Sequence, residues 1–167
     1  MDRERAFREF FDAEFRPLRR LAYLLTGDWG EAEDLAQETM VRMYRSWNSI
    51  KERPAAYARS VLINRHRSLL RRAKVETKHA LIRKSFSPPT SSELEDEYLV
   101  VWQALRKLPQ REREVIVLRY YEDMQQSDIA KTLGVPVGTV KSMTHRALGR
   151  LREQLGPEMP LPMTEEA

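Results

Sequence analysis

The chain has 167 residues, of which 41% are hydrophobic and 32% are charged, and its formal net charge is +4; this length suits one domain of average size or two small ones. With six glycines, no cysteine and few β-branched runs, the composition favours an all-α fold and excludes both a disulfide framework and a thiolate zinc site. No apolar run reaches membrane-spanning length and the first residues lack the apolar core of a signal peptide, so we expect a cytoplasmic protein without membrane insertion.

Three helices are predicted in a first domain over residues 1–72. Apolar side chains recur at helical spacing over residues 7–25, and Gly27 ends that run. Residues 28–31 have the form of a capping box that begins a second helix, and Pro54 begins a third after a short loop. The side chains predicted to pack on these helices are Phe7, Phe11, Phe15, Leu18, Leu21, Leu25, Leu35, Thr39, Met40, Met43, Tyr44, Trp47, Tyr57, Val61, Leu62 and Leu69.

The third predicted helix opens the most basic part of the chain. Ten lysines and arginines lie between Arg53 and Lys84, and Glu76 is the only acidic residue among them. A basic cluster of this kind indicates a polyphosphate partner, most simply nucleic acid.

A segment rich in proline and serine separates this domain from a second one. Because adjacent prolines bar a helix through residues 85–92, we predict a flexible linker over residues 73–92. The second domain is predicted over residues 93–155, starting from a capping box at residues 92–95, and the tail over 156–167 is predicted to be disordered. The first helix of the second domain should end before Pro109. The apolar face predicted for that helix is Leu94, Tyr98, Val101, Trp102 and Leu105.

A helix-turn-helix motif is predicted over residues 127–152. Ile129 and Leu133 lie on one face of a short helix, and Gly134 supplies the tight turn that follows. Pro136 is expected in the first turn of the next helix, where its missing N–H costs nothing. Val140, Leu148 and Leu151 should face inward on that second helix. The side chains expected to face outward are Thr139, Lys141, Ser142, His145 and Arg146.

The order of these segments resembles a known family. Residues 34–38 read Asp-Leu-Ala-Gln-Glu, which is similar to the Asp-Leu-x-Gln-Glu motif of bacterial sigma factors of the extracytoplasmic-function group, the smallest members of the sigma-70 family. Residues 104–121 resemble the start of that family's last domain, and residues 134–142 resemble the entry into its recognition helix. The resemblance covers roughly residues 7–155 and implies two small helical domains joined by a linker.

The resemblance also implies partners and binding residues. The chain is expected to bind core RNA polymerase and promoter DNA, to be held by an anti-sigma factor, and to direct promoter recognition and transcription initiation without a cofactor. The polymerase contacts implied are Asp34, Gln37 and Glu38. The contacts implied for the opened strand of the −10 element are Arg59, Asn64, Arg65, Arg67 and Arg71. The contacts implied for the −35 element are Thr139, Lys141, Ser142, His145, Arg146 and Arg150.

Some residues depart from the family pattern. Met143 and Thr144 stand where many relatives have Arg-Leu, so one core position is polar and the promoter specificity of relatives does not transfer. Gln125 replaces the usual Ser or Thr at the start of the first motif helix, which weakens that cap by about 1 kcal/mol.

Other functions are less well supported by the sequence. An enzyme is not expected, because the three histidines are scattered and no Gly-rich phosphate loop is present. Asp34 and Glu38 lie four residues apart and could bind a metal, but an acidic patch facing a partner fits the pattern better. The main alternative is a helix-turn-helix regulator whose first domain senses a small molecule or binds a partner. An RNA-binding protein is a weaker alternative, because the narrow major groove of A-form RNA excludes helices.

Overall fold

The computed structural model describes residues 2–76 and 96–156. Every regular element within these ranges is helical, which confirms the predicted all-α class. The predicted capping box at residues 92–95, most of the predicted linker and the tail beyond Gly156 lie outside the described residues. The helices are α1 (Arg3–Thr26), α2 (Trp29–Ser46), α3 (Pro54–Glu76), α4 (Asp96–Arg106), α5 (Gln110–Ile116), α6 (Gln126–Leu133) and α7 (Val137–Leu155).

The chain divides into two compact units between Pro88 and Pro89. The first unit holds α1, α2 and α3, and the second holds α4 to α7. Helix α3 ends at Glu76, four residues past the domain boundary predicted at residue 72. The boundary of the functional domain itself stays a prediction.

The core of the first unit forms where the three helices meet. The buried side chains here include Leu18, Leu21 and Leu25 of α1, Leu35 and Met43 of α2, and Leu62 of α3. Ala32 and Ala36 are also fully buried, since small side chains let the helices approach closely. Burial of these side chains stabilises the first unit by roughly 25 cal/mol for each Å² of apolar surface removed from water.

The connections within the first unit follow the sequence signals. Gly27 has a left-handed backbone with φ of 77° and its N–H donates to the Tyr23 carbonyl, which ends α1 as predicted. The Asp28 carboxylate accepts a hydrogen bond of 2.8 Å from the Glu31 N–H and so caps α2. A single 3₁₀ turn, Trp47–Ser49, then leads to the loop before Pro54.

Four predicted core side chains lie at the surface. Tyr44, Tyr57 and Leu69 are each exposed by 40% or more, and Phe11 is exposed by 36%. Tyr44 packs edge-on against Phe7 at a ring-centroid distance of 5.0 Å, and the Arg3 guanidinium lies over its ring at 4.8 Å from the centroid, so its contacts are made at the surface. These positions lie at the edges of apolar stripes, where the sequence pattern does not say how far the neighbouring helix reaches.

The second unit is built around α7. Ile129 and Leu133 of α6, Val115 of α5 and Trp102 of α4 are buried, together with Val140 and Leu151 of α7 itself. The predicted inward position of Val101 is wrong, because Val101 is 42% exposed. Trp102 and Leu105 are buried as predicted. Val101 precedes Trp102 by one residue and is rotated from it by about 100° around the helix axis, which turns it towards solvent.

The turn between α5 and α6 differs from a simple helix end. Helix α5 continues into a π-helical turn, Val117–Tyr121, which the sequence pattern did not predict. The Arg119 guanidinium donates a 3.1 Å hydrogen bond to the Met124 carbonyl, across a turn in which Asp123 has a positive φ of 51°. This hydrogen bond helps to fix the approach to α6.

The helix-turn-helix prediction is confirmed in its geometry. Gly134 ends α6 with φ of 62°, and Gln125 begins α6 without a side-chain cap, as expected. Pro136 is the N-cap of α7 and precedes its first residue, so its predicted place inside the first turn is wrong by one position. The extended backbone of Pro136, with ψ of 150°, satisfies the cap geometry and leaves Val137 as the first helical residue.

Candidate functional site

The outward face of α7 carries all six side chains predicted to contact the −35 element. Each is exposed, and they lie opposite the buried face formed by Val140, Ala147 and Leu151. The Ser142 hydroxyl donates to the Gly138 carbonyl at 2.8 Å and still has lone pairs for a further contact. The structure therefore brings these side chains onto one helix, and their role in DNA binding stays a prediction.

Two glycines lie on this outward face. A Cβ atom built on Gly138 or Gly149 would meet nothing within 4 Å. Ser142, His145 and Gly149 are spaced so that they share one stripe of α7. The surface of α7 at these two positions therefore has no side chain and no neighbouring atom above it.

A buried carboxylate holds two of the six side chains. Glu112 of α5 lies 3.3 Å from the Arg146 Nε through one oxygen and 3.3 Å from the Arg150 Nε through the other. Its side chain is 7% exposed, whereas the two arginine side chains are about half exposed. The sequence analysis missed Glu112, because it reads as one member of a charged run, Arg-Glu-Arg-Glu, and nothing in the sequence links it to α7.

The five residues predicted to bind the opened strand divide into two groups on α3. Asn64 and Arg71 are exposed, and with Arg67 they have the spacing of one outward face. The other two face the neighbouring helices. Arg59 approaches Glu14 of α1 at 3.7 Å, and the Arg65 Nε donates to Glu38 of α2 at 2.8 Å.

The three predicted polymerase contacts differ in their surroundings. Asp34 and Gln37 are exposed on α2, but Glu38 is tied to two arginines, Arg65 and Arg42, the latter at 3.1 Å. Burial alone would raise the pKa of Glu38, yet the hydrogen bonds and charges of Arg65 and Arg42 together hold that pKa below its ordinary value of 4.5. Glu38 is therefore an ionised link between α2 and α3.

An apolar side chain extends the exposed part of this surface. Val41 is 50% exposed and follows Gln37 by one helical turn. The sequence analysis gave Val41 no role, although its four-residue distance from Gln37 places it on the same stripe.

The described ranges hold neither a metal-binding cluster nor a candidate membrane span. No group of three His, Cys, Asp or Glu side chains there could hold a metal ion, so the alternative of a metal at Asp34 and Glu38 has no third ligand in that part of the chain. Among the same residues, none of the helices combines the length and apolar character that a bilayer-spanning segment needs.

Comparison with known families accounts for both units. The family model described as Sigma-70 region 2 matches residues 10–75, and that described as Sigma-70, region 4 matches residues 104–153. The RNA polymerase sigma-E factor of Streptomyces avermitilis is 36% identical over 151 residues, covering 89% of this chain and 84% of that protein. The ECF RNA polymerase sigma factor SigL of Mycobacterium tuberculosis is 34% identical, with 87% and 86% covered.

Solved structures show a similar arrangement of helices. The sigma factor RpoE of Bartonella quintana, in complex with the anti-sigma factor NepR, aligns with a TM-score of 0.69 and 26% identity over 92% of this chain and 99% of that one. CnrH, solved with the cytosolic domain of CnrY, aligns with a TM-score of 0.56 and 23% identity over 93% of this chain and 91% of that one, a likeness of fold alone.

Proposed function

Since the chain belongs to the extracytoplasmic-function group of sigma-70 family RNA polymerase sigma factors, we propose that it binds core RNA polymerase and directs promoter recognition and transcription initiation through the faces of α2, α3 and α7 described above. The observation that carries this proposal is the match of a region 2 unit and a region 4 unit in order on one chain. The proposal assigns no catalytic step to the chain, needs no cofactor, and places the protein in the cytoplasm with the polymerase.

The outward face of α7 is assigned to the −35 element. A helix that follows a tight turn can enter the major groove, where base edges present distinct donors and acceptors. Lys141, Arg146 and Arg150 are positive and suit phosphates, whereas Thr139, Ser142 and His145 suit base edges. The exposure of all six side chains supports this assignment.

The outward face of α3 is assigned to the opened strand of the −10 element. Asn64 offers one acceptor and two donors to an unpaired base, and Arg67 and Arg71 lie along the same face for its backbone. Arg59 and Arg65 are already engaged by carboxylates of α1 and α2. We assign these two a supporting role in holding α3.

The exposed stripe of α2 is assigned to core polymerase. Asp34 and Gln37 supply polar contacts, and Val41 supplies apolar surface that a partner can cover. Replacing Asp34 by lysine should weaken co-purification with core enzyme and leave the helical circular dichroism unchanged. Equal recovery of core enzyme with the variant would contradict the assignment.

A protein partner that keeps the chain inactive is also part of the proposal. The Bartonella quintana relative was solved with an anti-sigma factor, and we infer that a partner of that class binds this chain. Such a partner would compete with core polymerase, so adding core enzyme to a purified complex should release it. A complex that core enzyme never displaces would argue against this inference.

The test of the whole proposal is transcription in vitro with core polymerase and a promoter library. A sigma factor yields transcripts from a defined subset of promoters and permanganate-reactive thymines in their −10 elements. A helix-turn-helix regulator with a sensor domain would bind DNA without giving either result. That outcome would replace the proposal by the regulator hypothesis.

A further inference from the structure

We propose that Glu112 is a positioning residue that controls how Arg146 and Arg150 contact DNA. This inference rests on the proposed function of α7. Glu112 comes from α5, and each of its oxygens faces the Nε of a different arginine at 3.3 Å. Its carboxylate therefore spans the two arginines, which are one helical turn apart on the DNA-binding face.

The geometry leaves the outer ends of both arginines available. A guanidinium has five N–H donors, of which Nε supplies one at the inner edge of the group and the two terminal nitrogens supply four. The Arg146 Nε donates a hydrogen bond to one Glu112 oxygen, and the Arg150 Nε lies within ion-pair distance of the other. The terminal nitrogens of both arginines remain for a phosphate or a guanine edge. Glu112 thus fixes the direction of two long side chains before DNA arrives, which lowers the entropy lost on binding.

The carboxylate also changes the charge of the face. Arg146 and Arg150 carry two positive charges, and Glu112 is 7% exposed and so is poorly screened by solvent. The three side chains together carry one net positive charge. Since binding to arbitrary DNA depends on the number of phosphates neutralised, this arrangement reduces non-specific affinity while keeping aimed donors for a promoter.

The test uses the full chain and a mixed-sequence duplex of 30 base pairs as the probe. Glu112→Gln keeps an oxygen that accepts from Nε and removes the negative charge. We expect binding to this duplex to become about tenfold tighter at 0.1 M salt, and the slope of log affinity against log salt to steepen by about one. Preference for a promoter selected from the library over the mixed-sequence duplex should fall.

Two further variants separate charge from structure. Glu112→Asp retains the charge, so its salt slope should stay at the wild-type value. Glu114→Gln removes another buried carboxylate of α5, which lies 4.0 Å from Arg111 and also interacts with the charge of Arg113, and it should leave both affinity and slope unchanged. Thermal unfolding of each variant identifies any loss of fold.

The decisive comparison places Glu112→Gln in a chain that also carries Arg146→Ala and Arg150→Ala. If Glu112 acts through the arginines, its replacement has no effect on the salt slope in that background. A steeper slope that persists there, or a single variant with the wild-type slope, would overturn the inference. If the two arginine replacements themselves leave duplex binding unchanged, the proposed function of α7 fails instead.

Discussion

Lys141 lies on the flank of α7 and is exposed. We assign it to a phosphate, so replacing it by alanine should weaken binding to all promoters about equally and reduce the salt slope by about one. Filter binding at several salt concentrations measures both quantities. The comparison variant is Ser142→Ala, which should cost on the order of 1–3 kcal/mol at one base position and leave the slope unchanged. A Lys141→Ala chain with altered base preference and an unchanged slope would contradict this division.

Glu38 makes the stability of the first unit depend on pH. Its pKa is held below the ordinary value of 4.5 in the folded chain, in spite of burial, by Arg65 and Arg42. A lowered folded-state pKa means that the stabilisation is fully present above pH 4.5 and is lost as the pH falls through the folded-state pKa. Urea unfolding should show a smaller difference between wild type and Glu38→Gln at pH 3 than at pH 7. An equal difference at both values would show that the charge of Glu38 does not contribute.

Helix α3 carries both the residues that we assign to DNA and residues that contact the neighbouring helices. Asn64→Ala and Arg71→Ala remove contacts of the outward face, so the polymerase should still form a closed complex but give less permanganate reactivity and fewer transcripts. Arg59→Ala removes a side chain that approaches Glu14 of α1 and lies off this outward face, so it should reduce opening less. A template that is already melted should restore part of the activity of Asn64→Ala, because the cost of unstacking, about 1.4 kcal/mol per base step, has been met. Normal opening by Asn64→Ala would contradict the assignment of this face.

Helix positions could be predicted where local chemistry decides them. Gly27 and Gly134 end helices because a left-handed residue is needed there, and Asp28 begins one because its carboxylate caps an N–H. These signals act within a few residues of the chain. The outward orientation of the α7 side chains followed in the same way from helical spacing.

Contacts between helices could not be predicted in this way. The ion pair between Arg146 and Glu112 joins residues 34 positions apart, and that between Arg65 and Glu38 joins residues 27 positions apart. Both depend on which helix faces reach each other, and helical spacing leaves that open. The sequence did not predict the π-helical turn after Ile116 for a related reason. Val117 and Leu118 of this turn are buried, and no turn signal in the nearby sequence marks it.

At the scale of the whole molecule, each unit has a core of its own. Leu133→Ala should cost the second unit about 2–5 kcal/mol, because a buried leucine leaves a cavity, and Leu62→Ala should do the same to the first. Hydrogen exchange of the full chain then identifies the affected amides: α4 to α7 for Leu133→Ala and α1 to α3 for Leu62→Ala. Equal loss of protection in both units from either variant would show that they unfold together.

The open glycine positions on α7 bear on how this protein could be engineered. Gly149→Ala meets no steric obstacle in the chain, and alanine favours a helix over glycine by about 1 kcal/mol. The variant should therefore unfold about 4–8 °C higher, as followed by thermal denaturation of the second unit. The added methyl group lies on the stripe shared with Ser142 and His145, so the same variant should bind promoter DNA more weakly. A thermostability screen that ignores transcription would select this substitution at the expense of promoter binding, because the methyl group occupies surface that we assign to DNA.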